Sequence, residues 1–131
     1  MFESLFERYP FFRYILAILG MAIIYHFSAK TPDDLNWIEL PWDKAVHACV
    51  YACLGLSYCL WSKRSVWEQK WWKAFALAWV LSMIYGASDE FHQSFTPGRD
   101  ASALDWVADS IGSFVGALLY LIYVKFGRKK S

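Results

Sequence analysis

Two histidines and a set of carboxylates fall where helical spacing would place them on shared faces. Asp43, His47 and Tyr51 follow at i, i+4 and i+8. Tyr85, Asp89, His92 and Gln93 follow at i, i+4, i+7 and i+8, and Asp105, Asp109, Gly112 and Gly116 at i, i+4, i+7 and i+11. Residues three or four apart lie on one side of an α-helix, so each segment carries a polar stripe. His47 and His92, with Asp89 and Glu90, are the candidates for proton transfer. Imidazole titrates near neutral pH, and a carboxylate can orient it or act as acid or base itself. Asp43, Lys44, Tyr51, Tyr85, Gln93, Arg99, Asp105 and Asp109 are the candidates for binding. Arg99 follows a Pro97-Gly98 turn and offers a guanidinium to a phosphate or carboxylate. The same side chains suit a divalent cation, but no HExxH or comparable spacing specifies one, so the metal stays open.

These stripes need elements to hold them. The 131 residues suffice for one domain, 1–131. Apolar residues make up 57% of the chain and aromatics 20%, against about 45–50% apolar in an ordinary soluble domain. Four apolar stretches stand out, at about 11–28, 44–61, 72–91 and 104–126. Each approaches the roughly 20 residues that cross a bilayer, and none alternates with period two. The spacing therefore predicts an all-α fold, a four-helix transmembrane bundle running up and down through short connections. Pro32 and Pro41 mark the first connection as a loop, and Pro97-Gly98 ends the third helix. Cys49, Cys53 and Cys59 share one apolar segment and read as packed small residues, not as a disulfide framework. Glu3 and Glu7 interrupt what would be a signal peptide's basic n-region.

Charge gives the direction. Ten basic residues fall in the N-terminal segment, the 62–71 connection with its edges, and the C-terminal tail, while only Lys30, Lys44 and Arg99 fall in the other two loops. By the positive-inside rule both termini are cytoplasmic and the polar stripes face outward. Trp67, Trp71 and Trp72 read as an interfacial belt, and His26 as an interfacial histidine off the stripes. The Arg128-Lys129-Lys130 run suits anionic inner-leaflet lipid, and no nucleic-acid partner is expected. From Lys73 to Asp89 is about 24 Å of helix, less than the roughly 30 Å hydrocarbon core. Asp89 therefore sits at or below the outer interface, a costly position that usually faces a bundle interior. Gly112 and Gly116 form a GxxxG pair, so the fourth helix should pack by its carboxylate face. Arg99 with Asp105, and Lys44 with Asp89, are the neutralising pairs that order along the chain suggests.

Three motifs, Asp43-Lys44-x-x-His47-x-x-x-Tyr51, Tyr85-Gly86-x-x-Asp89-Glu90-x-His92-Gln93-x-Phe95-x-Pro97-Gly98-Arg99 and Asp105-Trp106-x-x-Asp109-x-x-Gly112, together resemble the VanZ-like family of bacterial membrane proteins. One departure is Asp109, where Asn is expected; where Asn suffices, the position needs neither a metal ligand nor a general base. The resemblance implies a four-helix protein of the bacterial cytoplasmic (inner) membrane. It also implies a link to glycopeptide resistance, since the founding member lowers susceptibility to teicoplanin. Three readings follow. The chain acts as an enzyme on a lipid or lipid-linked envelope molecule at the outer leaflet. Alternatively it binds an envelope precursor or the antibiotic without chemistry, using Arg99 and an aromatic rim of Trp37, Trp42 and Trp106. In the third, the stripes are a structural network and function lies with a partner protein.

Overall fold

The structure, a computed structural model, describes residues 2–31 and 43–127, without the side chains of Phe2 and Asp43. The loop prolines Pro32 and Pro41, the rim residues Trp37 and Trp42, the Asp43 side chain and the Arg128–Lys130 run lie outside the described residues. Among the described residues the chain is all-helical. Four long helices, α2 (Phe12–Ser28), α3 (Asp43–Cys59), α5 (Trp71–Gln93) and α6 (Ala103–Phe126), are joined by two short ones, α1 (Phe2–Arg8) and α4 (Arg64–Gln69). The boundaries follow the apolar stretches closely. The basic connection after α3 differs, since it contains the helical turns of α4.

Contacts at the two ends show that the long helices alternate in direction. At one end Ser28 of α2 meets His92 of α5, and Lys44 of α3 meets Asp105 of α6. At the other, Arg13 of α2 reaches the carbonyls of Leu60 and Ser62, and the Trp67 ring of α4 packs at a tilt against Tyr120 of α6. Among the described residues one helix, α6, is both long and apolar enough to span a membrane, with a mean hydropathy of 1.7 over its most apolar stretch. The shorter α2 is also apolar, at 17 residues.

The tightest seam joins α3 to α6. Gly112 lies against the Ala48 carbonyl, and Gly116 against the Ala52 carbonyl, so closely that a Cβ on either glycine would collide with backbone. The GxxxG face is thus the packing face, as its spacing predicts. This approach brings the first two turns of α3 beside the first two turns of α6.

Trp67 corrects the sequence reading. It is not part of an exposed belt but is 1% exposed, and its Nε1 donates to the Cys59 carbonyl at 3.0 Å. A lone carbonyl at the C-terminus of α3 needs such a donor, and an indole N–H seeks a partner once buried. Trp71 and Trp72 are exposed, as the belt requires.

Candidate functional site

Helix α6 starts at Ser102, whose extended backbone and side chain cap it; its Oγ accepts from the Asp105 N–H at 3.4 Å. That cap fixes where Asp105 and Asp109 enter the bundle. Across the glycine seam, the Lys44 ammonium donates to Asp105 Oδ1 at 2.8 Å, and His47 Nδ1 lies 2.9 Å from Asp109 Oδ1. Helix α5 supplies the third wall. Tyr51 Oη donates to Asp89 Oδ2 at 3.2 Å, and Gln93 Nε2 donates to the same oxygen at 3.3 Å. Glu90 Oε2 accepts from the Ser102 backbone N–H at 3.0 Å, tying α5 to the cap of α6.

Asp89, Glu90, Asp105 and Asp109 are all buried, and Asp109 is completely so. The neutralising pairs differ from those that order along the chain suggests. Lys44 takes Asp105, not Asp89, because the seam sets α3 directly against α6 and leaves Asp89 to the neutral donors Tyr51 and Gln93. Arg99 does not join Asp105. Its N–H closes a turn onto Thr96 O at 3.1 Å around Gly98, at φ 77°. A positive φ at the third turn position is what Gly after Pro provides, and the turn leaves the partly exposed Arg99 outside the carboxylate network.

His47, Glu90 and Asp109 converge. One candidate ligand atom from each lies within 4.8 Å of the others. Glu90 Oε1 and Asp109 Oδ2 are buried and have no hydrogen-bond partner among the described residues. His92 stands apart from this group. Its ring stacks on Tyr25 with centroids 4.5 Å apart, and its Nδ1 lies 3.4 Å from Ser28 Oγ. Tyr85 likewise turns to α2, its Oη donating to the Met21 carbonyl at 2.5 Å. The stripe of α5 therefore splits, with Asp89, Glu90 and Gln93 toward the centre and Tyr85 and His92 toward α2.

Beside Glu90 a shallow groove of about 360 Å³ opens between the end of α5 and the start of α6. Its walls are Ala87, Phe91, Ala101, Ala103 and Trp106, with Ser94 and Ser102. The Trp106 ring is fixed by its Nε1, which donates to the Met83 carbonyl at 2.9 Å.

Two contributors were missed in the sequence. Ser102 carries a readable signal, the Ser-x-x-Asp spacing of a helix start. Ser28 carries none. It is 1% exposed and serves α5 through His92 and the loop after α5 by accepting from Thr96 Oγ1 at its carbonyl, 3.2 Å away.

Among the described residues, fold and site define an all-helical protein with a membrane-length helix and, at one end, a cluster of buried carboxylates with a partly buried histidine. The chain belongs to the VanZ/LLP1 family, whose model matches residues 6–124. No curated protein and no solved structure gives a significant match.

Proposed function

We propose that the chain is a four-span protein of the bacterial cytoplasmic membrane with both termini in the cytoplasm, acting through its polar end on a lipid or lipid-linked envelope molecule in the outer leaflet. The observation that carries this is the His47–Glu90–Asp109 group, two buried carboxylates with a partly buried imidazole, beside an apolar groove. Ionisable groups held at a cost inside a bundle mark a working site. His47, oriented by Asp109 at 2.9 Å, is the proton carrier. Glu90 faces both the cluster and the groove, where a headgroup would lie with its chain against Phe91 and Trp106.

The packing supports the membrane reading. Small residues, Ala17, Ala74, Ala78 and Ala117, lie in the interior beside Tyr51, Leu54, Tyr58 and Trp67, while Ile18, Ile23, Val80, Ile84, Ile111, Leu119 and Ile122 face outward. So many exposed branched side chains suit a lipid surface better than water, and helices in lipid associate through small residues. Helix α6 has only 39% of its apolar window buried, unlike the core helix of a soluble domain. The 17 residues of α2 and of α3 reach about 26 Å, close to the hydrocarbon thickness. The basic residues at the Arg13 end support a cytoplasmic position for that end.

The family resemblance names a first phenotype, reduced susceptibility to teicoplanin. The test expresses the full chain in a bacterium and follows glycopeptide susceptibility together with the extracted pool of lipid-linked precursors. The wild-type chain should shift at least one of the two. His47→Ala and Glu90→Gln should abolish the shift while the protein still accumulates in the membrane. Full effect in both variants would overturn the chemistry, and full effect in Glu90→Gln alone would favour a binder.

A further inference from the structure

We propose that His47, Glu90 and Asp109 together bind one divalent cation of the zinc or manganese class. This deepens the reading above at the same site but does not depend on its substrate.

Geometry comes first. Two ligands each about 2.1 Å from one ion stand roughly 3.0 to 4.2 Å apart. The three candidate atoms lie within 4.8 Å of one another, so small side-chain rotations close the set. His47 Nδ1 and Asp109 Oδ1, hydrogen-bonded at 2.9 Å, need part only slightly to stand as neighbouring ligands on one ion. The three residues come from α3, α5 and α6, and the glycine seam fixes two of those backbones against each other.

The second observation is independent of the clustering. Glu90 Oε1 and Asp109 Oδ2 are buried without a partner among the described residues, on side chains belonging to residues 7% and 0% exposed. A buried carboxylate oxygen left without a donor is costly, and a cation is the strongest remedy. Asp109 Oδ2 also lies where a Cβ on Gly86 would come within 3.5 Å, so this oxygen points toward α5, the helix that carries Glu90.

Charge agrees. Lys44 compensates Asp105, and a protonated His47 would compensate Asp109. Asp89 and Glu90 then have only neutral donors among the described residues. With His47 neutral, as a metal ligand must be, Lys44 leaves three of the four buried carboxylates uncompensated among the described residues, and a dication supplies charge for two of them. One imidazole with two carboxylates is a borderline-hard N/O set, suited to zinc or manganese and poor for calcium. Three protein ligands leave further coordination positions open, as in catalytic and not structural sites.

The test uses the purified full chain in detergent, stripped with a chelator and then offered Zn²⁺ or Mn²⁺ alone. Bound metal is counted by mass spectrometry after gel filtration, and affinity is measured by titration. One cation per chain is expected, with His47→Ala and Asp109→Asn weakening binding more than about 100-fold, beyond what groups that merely orient a ligand command. Arg64→Ala, at the far end, should bind as wild type. Circular dichroism checks the fold, and Glu90→Gln, the mildest change, decides the matter if the others unfold. Wild-type protein that holds well under one cation per chain, or Glu90→Gln that binds undiminished, overturns the proposal. A chain that binds no metal yet loses its envelope effect on His47→Ala overturns the cation and leaves the acid–base reading. A chain that binds metal without any envelope effect keeps the cation and overturns that reading.

Discussion

The two ends of the bundle both bury charge, and they treat it in opposite ways. At the Arg13 end a single guanidinium, in a residue 6% exposed, reaches the Leu60 and Ser62 carbonyls at 3.3 and 3.5 Å and Glu3 at 3.3 Å. Trp67 caps Cys59 beside it. Cation, anion and the carbonyls after α3 balance locally, as a helix C-terminus favours. At the His47 end four buried carboxylates face one ammonium and one imidazole among the described residues. A balanced buried group serves the fold. An unbalanced one is tolerated when something else depends on it.

That contrast can be broken by substitution, since the two ends should answer with opposite signs. The largest effect on stability is expected from Arg13→Ala. It strands two carbonyls and should cost about 2 kcal/mol, seen as a lower melting temperature in detergent. Function per folded molecule should be unchanged. Next comes Glu90→Gln, measured with chelator present. Its amide keeps an oxygen for the Ser102 N–H and removes one like charge, so the chain should gain about 1 kcal/mol while losing its envelope effect. A loss of stability there would mean that the carboxylates are structural, and the contrast would fall. The smallest effect belongs to Arg64→Ala, which removes an exposed i,i+4 bridge to Glu68 at 3.2 Å. It should change stability by only about 0.3 kcal/mol and sharpens the Arg13 result by showing that burial, not charge, decides.

Much of this was legible from periodicity. The four long helices follow from apolar stretches bounded by Pro, Gly and charge. The stripes on α3 and α6 follow from four-residue spacing, and the glycine pair announced which face of α6 packs. Partner choice was not legible. Lys44 pairs with Asp105 because of the depth of the α3–α6 approach, a distance that spacing along one helix does not contain. His92 and Gln93 are neighbours in the chain, yet one turns to Ser28 and the other to Asp89. A helical step of 100° sends adjacent residues to different neighbours, and only the packing says which neighbour receives which. Trp67 was misplaced for a similar reason. A tryptophan beside a basic loop looks interfacial until a short helix folds it under α3.

The glycine seam between α3 and α6 has one more consequence, in time rather than in space. Backbone packed on backbone, with no side chain to rotate out of the way, opens only when the two helices separate as a unit. Their amides should be the last to exchange with deuterium, and α2, held mainly through Ser28, Met21 and Arg13, among the first. His47 and Asp109 ride on the slow pair, while Tyr25, which stacks on His92, rides on the fast one. The molecule therefore keeps two clocks, a slow one for its reactive group and a quicker one for the helix that flanks it.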